Sequence, residues 1–129
     1  MRNISVLDYI FKPIRAAAIL TTGYVAGTVI ENAQGYNQMN VDAVFTIGSL
    51  TDAQIKIEFS NDGTTYIQET FSSISSGEDT LSTGVHVLGA TGNFEISLPI
   101  MAKYIKISAI GTGTVTGSSL AINARLGTR

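Results

Sequence analysis

The residues able to do chemistry are few and far apart. The chain has no Cys and a single His, which removes thiolate nucleophiles, disulfides and Cys-based zinc sites together. His86 stands between Val85 and Val87 in an apparent strand. A catalytic imidazole requires a nucleophile and an orienting carboxylate around it; no local motif supplies them, so a structural or merely exposed role is expected. Glu78 and Asp79 lie in a polar Ser/Gly/Thr stretch, residues 72–84, that reads as a mobile loop or a crossover between sheets. With loop carbonyls they would offer oxygens to a calcium ion, but EF-hand spacing is absent. Asp62, inside Asn61-Asp62-Gly63, reads as a turn residue rather than a ligand. The run GTGTVTG at residues 111–117 has no strand-to-helix context and no Lys, so its glycines mark turns and not a phosphate cradle. Asn3-Ile4-Ser5 fits the glycosylation tripeptide, which carries no weight without an export signal. No enzymatic activity, cofactor or metal is therefore expected.

Binding residues are scarcely more pointed. Tyr24, Tyr36, Tyr66 and Tyr104 are candidate stacking platforms, yet sheet proteins commonly place Tyr at the rim of the core with the ring buried and the hydroxyl wet. Trp is absent, which weakens a sugar-binding reading. At net charge −2 with 14% charged residues, the chain has no general attraction for nucleic acid. The charge is uneven. Arg2, Lys12 and Arg15 against Asp8 give residues 1–15 a net +2, leaving five basic and nine acidic residues, or −4, for the body.

These residues must be positioned by elements that the hydrophobic pattern specifies. At 129 residues the chain is one domain's length, able to bury roughly two-thirds of its unfolded surface. Asp8, Lys12, Pro13 and Arg15 interrupt the apolar start, so no export signal is expected there, and the uncharged run over residues 16–30 is too short for a membrane helix. Ile4, Leu7, Phe11 and Ile14 recur at helical spacing, which allows a short amphipathic helix from about Asn3 to Lys12, ended near Pro13. The expected organisation is an N-terminal arm over residues 1–19 and a sandwich domain over residues 20–129. The arm folds back on its own body, lies on a neighbouring subunit or is disordered.

From Ala16 onward the period is two. Val41, Ala43, Phe45 and Ile47 alternate with Asp42, Val44 and Thr46; Ile55, Ile57 and Phe59 alternate with Gln54, Lys56 and Glu58. Phe94, Ile96 and Leu98 repeat the device, as do Ile105, Ile107 and Ala109, and then Leu120, Ile122, Ala124 and Leu126. About eight such strands predict an all-β fold, an antiparallel β-sandwich of jelly-roll type. Its edge strands carry unpaired backbone groups that must be blunted, covered or used for assembly.

The succession IKIEFSNDGTTY, GNFEISLP and KYIKISAIGTGTVTGSSLAINARL resembles small sandwich proteins and domains of tailed-phage virions over about residues 20–126. Similar strings occur in discoidin-like, galactose-binding sandwiches. Tyr66 stands where those often carry Trp after the turn, and none of their sugar or calcium residues can be carried over. The resemblance implies a non-enzymatic virion component. Its expected place is the head, as an auxiliary or decoration protein, with a neck or tail position next. Expected partners are other virion proteins, the major capsid protein or neck and tail proteins, and further copies of the chain; no nucleic acid and no membrane are expected. Arg2, Ile4, Leu7, Phe11, Lys12, Ile14 and Arg15 are the candidate assembly residues of the arm. The alternative is a carbohydrate-binding module using loops at one end of the sandwich, residues 72–84 or 111–117.

Overall fold

Alternation over Gln38–Thr46 sends Met39, Val41, Ala43 and Phe45 to one side, and all four are buried. The same holds for Ile55 and Ile57, for Ile105, Ile107 and Ala109, and for Leu120, Ile122, Ala124 and Leu126. The computed structural model describes residues 9–128. Within them the strands are β1 (Tyr9–Ala18), β2 (Val25–Ala26), β3 (Gln38–Thr46), β4 (Leu50–Ser60), β5 (Ile67–Gln68) and β6 (Thr70–Ser75). They continue with β7 (Glu78–Thr83), β8 (His86–Leu88), β9 (Gly92–Pro99), β10 (Tyr104–Gly113) and β11 (Ser119–Gly127). One sheet has the order β1-β11-β3-β9, and a second has β2-β10-β4-β5 with β8 also on β4.

All named pairings are antiparallel, and β4 lies on β10 with Ile57 opposite Ile107 and Ile55 opposite Ala109. The inner faces of the two sheets share one apolar cluster, at about 1.5–3 kcal/mol of hydrophobic stabilisation for each large side chain removed from water. Setting aside β5 and the β6-β7 pair, the remaining strands follow the orders 1-8-3-6 and 2-7-4-5, which is the double Greek key of a jelly roll.

Two expectations need correction. Tyr9–Lys12, the described part of the expected helix, is strand, paired with β11 from Tyr9 opposite Gly127 to Lys12 opposite Ala124, in a ladder that runs on to Ala18 opposite Leu120; the rest of that helix lies outside the described residues. Ile10 and Ile14, four apart, fit one face of a helix and one face of a strand equally well. Pairing with β11 decides for the strand: Ile14 is buried while Phe11, on the other face, is 57% exposed. Pro13 is tolerated because β1 is an edge strand. Residues 72–84 are not an irregular loop. They form most of a hairpin, β6 against β7, with Ser75 opposite Glu78 and a turn in which Ser76 and Gly77 have φ of 53° and 80°. It is inserted between β5 and β8.

Candidate assembly surfaces

The edges of the two sheets differ in how they are finished. On β1, Pro13 lacks an N–H, the register slips between Pro13 and Arg15 and again between Arg15 and Ala18, and the Ile14 carbonyl accepts from the Thr28 N–H at 2.9 Å. Strand β2 is two residues long. At the far side of the second sheet, β4 is covered by the short β5 and β8, with the Glu69 N–H donating to the Ile57 carbonyl at 2.9 Å between them. Strand β9 is eight residues long and regular, and among the described residues its backbone pairs only with β3.

The β6-β7 hairpin is exposed along its whole length. Register places Ile74 and Leu81 on one face, diagonally adjacent, at 77% and 66% exposure. Phe71 on the other face meets the body: its ring packs edge-on to His86 with centroids 6.0 Å apart and closes over Gly84. His86 Nε2 lies 2.8 Å from Glu69 Oε1, and the Gly84 carbonyl accepts from Gln68 Nε2 at 3.0 Å. The sole histidine therefore fastens the base of the hairpin to the edge of the sandwich. Two-stranded hairpins are marginal by themselves in water, and this fastening at the base is what ties the hairpin to the body.

Of the arm residues, Phe11 faces solvent beside Tyr9, Lys12 is half-buried, and Ile14 joins the core. Arg15 is tied into its own chain: Nε donates to the Leu120 carbonyl at 2.9 Å, and Nη2 to the carbonyls of Ala18 and Ile19 at 3.1 and 2.8 Å. Its partial burial lowers its pKa. Arg2, Ile4 and Leu7 lie outside the described residues. The structure thus separates Phe11 from Ile14 onto opposite faces, where helical spacing had grouped them.

The outer face of the second sheet is finished by a polar ladder. Glu58 Oε1 lies 3.8 Å from Lys56 Nζ and 3.9 Å from Lys106 Nζ. Each lysine caps a tyrosine ring, Lys56 over Tyr24 at 4.4 Å and Lys106 over Tyr66 at 4.2 Å. Lys103 lies 5.5 Å from the Tyr104 ring, and Tyr36 packs against the core. On the first sheet, Arg125 Nη2 bonds Asp42 at 3.1 Å and Glu95 at 2.7 Å. Glu78 and Asp79 sit at the hairpin turn, and among the described residues no group of three or more His, Asp and Glu is placed to hold a metal.

Asp62 serves its turn. Oδ1 accepts the N–H of Thr64 and of Thr65, each at 2.8 Å, and the Ser60 hydroxyl at 2.9 Å, while Gly63 takes φ 79°. These bonds, the two backbone ones foremost, hold its pKa below the ordinary 3.8. A depressed carboxylate stabilises the fold above its unfolded pKa, and that stability is lost as pH falls through the folded value. Asp62→Ala is therefore expected to melt below the native protein at neutral pH, with the gap closing once pH drops below 3.8. Melting curves across that range check it; a gap independent of pH would assign the loss to something other than the charge.

Sequence reading missed the hairpin and the bare edge of β9. For the first, the signal was two short Ser/Thr-rich runs around Ser76-Gly77, thin in apolar residues. For the second there was none, because β9 carries within it none of the prolines or inward charges by which an edge strand can be told in sequence.

No family model and no curated protein matches the chain. Solved structures do. The SPBc2 prophage-derived protein YomS aligns at a TM-score of 0.57 and 14% identity over 98% of both chains. A chain in a structure of infectious bursal disease virus, Gx strain, aligns at 0.52 and 8% identity, covering 93% of this chain and 32% of that one. A family 11 carbohydrate-binding module from Clostridium thermocellum aligns at only 0.39 with 10% identity, too remote to carry an argument. At these identities the likenesses establish the β-sandwich fold, shared with a prophage-derived protein along its whole length and with a virus along part of a longer chain.

Proposed function

We propose that the chain is a non-enzymatic structural component of a bacteriophage virion, an auxiliary or decoration protein of the head, that works by assembling on neighbouring virion proteins. The observation that carries this reading is where apolar surface and bare backbone sit. Tyr9 and Phe11 on β1, Ile74 and Leu81 on the hairpin, and Met101, at 96% exposure, face outward, and among the described residues nothing pairs with the outer ladder of β9. The side chains weighed for chemistry or stacking are engaged in fastening the framework: His86 with Glu69, Asp62 with its turn, Tyr24 and Tyr66 under lysines. Whole-length likeness to a prophage-derived protein supports the same reading.

Residues 1–8 complete the assembly surface in this proposal. Because Tyr9–Ala18 belongs to the sheet, the deletion that tests the arm removes residues 1–8 only. Full-length protein is expected to co-sediment with phage particles lacking this component. The truncated protein should keep its β-type circular dichroism and bind at least about tenfold more weakly, the equivalent of about 1.4 kcal/mol. Salt should weaken binding only in part, since screening leaves apolar contacts in place. Equal binding by both forms would move the contact onto the sandwich itself. Saturable glycan binding with no particle binding would replace the reading by carbohydrate recognition.

A further inference from the structure

We propose that the chain pairs with a second copy of itself along β9, edge to edge and antiparallel across a two-fold axis, joining two four-stranded sheets into one of eight strands. This rests on the reading of the chain as an assembling protein, and it names the surface and the partner. Folded proteins finish their sheet edges with prolines, bulges, inward charges or very short strands, because a bare edge templates pairing with another chain. Here β1 has Pro13 and two register slips, and β2, β5 and β8 are two or three residues long. Strand β9 has none of these devices along Gly92–Pro99, its proline standing only at the end. Its one charge, Glu95, points to the outer face and is neutralised by Arg125. On the inner face Phe94 is 36% exposed and Ile96 half-buried, so among the described residues nothing covers the apolar core where it reaches this edge.

An identical strand fits that edge best. Antiparallel pairing across a two-fold axis sets one residue opposite itself. With Ile96 at the centre, Phe94 faces Leu98 of the other copy and Glu95 faces Ser97, so apolar meets apolar on the inner face. Moving the centre to Glu95 would oppose two carboxylates, which destabilises a sheet pair; moving it to Ser97 would leave only five residue pairs within the strand. The β6-β7 hairpin of a neighbour is the rival occupant of the edge. It would leave its own second edge open, so growth would not close, whereas two β9 strands close each other.

One strand-to-strand contact buries less than the ~1,200 Å² of stable interfaces, so sedimentation equilibrium of the full-length protein should be run up to about 1 mM. A monomer–dimer equilibrium that stops at two is expected. Ser97→Glu places like charges opposite each other twice across the axis and should weaken dimerisation about tenfold. Ser97→Lys should dimerise no more weakly than native, because it faces Glu95. Both variants lose the same bonds from Ser97 to Gln38 and Asn40, so a general loss of order would affect them alike. With no native Cys, single-cysteine variants at residues 94–98 can be oxidised in turn, and disulfide-linked dimer should peak for Ile96→Cys. A monomer throughout, equal behaviour of the two Ser97 variants, a cross-linking maximum elsewhere, or growth past two copies would each overturn the pairing. A protein that stays monomeric yet binds particles sinks the pairing alone; a dimer that binds no particle sustains the pairing and sinks the virion role.

Discussion

Ile57→Asp is expected to leave little folded protein. Ile57 has no exposed surface, lies opposite Ile107 at the centre of the β4-β10 ladder, and belongs to the cluster shared by both sheets. The substitution removes a buried hydrocarbon and leaves a carboxylate without a partner, which must be protonated or drag water inward. A cost above about 4 kcal/mol is expected, against a total stability of roughly 5–15 kcal/mol for a domain. Lys56→Asp, one residue earlier, changes an outward face. It breaks the contact with Tyr24 and sets a carboxylate beside Glu58, for a cost of about 1 kcal/mol. Urea unfolding followed by circular dichroism measures both. The reverse order would mean a strand shifted by one residue, with every side chain on the wrong face.

Gly27→Ala is expected to part β1 from the rest. A Cβ at Gly27 would stand 2.5 Å from the Ile14 carbonyl oxygen and 2.6 Å from Ile14 Cγ2. The obstacle is mainly backbone, and both neighbours are held: Gly27 N–H donates to the Ile107 carbonyl and Thr28 N–H to the Ile14 carbonyl, each at 2.9 Å. Relief requires β1 to move outward, which breaks the Thr28 bond and lifts Ile14 from the core. A loss of about 3 kcal/mol is expected, with hydrogen exchange quickening first at the amides shared by β1 and β11. Gly23→Ala is the control, with open space around it, and should be near neutral. Equal melting temperatures for the two variants would show that β1 is not held at this point.

How much of this could be read beforehand follows from what each segment encodes. Residues 41–47, 54–59, 105–109 and 120–126 write one buried and one wet face in strict alternation, so their strands and facing are plain from the chain alone. Tyr9–Ala18 is ambiguous because Ile10 and Ile14 satisfy two periods at once, and only the distant β11 resolves it. The hairpin escaped because Ser and Thr dominate its runs and its few apolar residues are not directed at the core. Site candidates fared according to range. Asp62 acts within its own turn and was legible as such; His86 meets Glu69 from 17 positions away, and no local pattern records that meeting. The bare edge of β9 is a property of topology alone.

The pairing of β1 with β11 also dictates the order in which the molecule can be made. Arg15 reaches the Leu120 carbonyl across a separation of 105 residues, so the first strand of the sheet has no partner until the last has been synthesised. At roughly 5–20 residues per second, β1 waits on the order of ten seconds after its own synthesis, with Tyr9, Phe11 and Ile14 open to chaperones or to other nascent chains. Strands β3 and β4, adjacent in sequence but divided between the two sheets, do not shorten that wait. Such non-local closure makes for slow folding, and it makes the yield of native protein a matter of what β1 meets before β11 arrives.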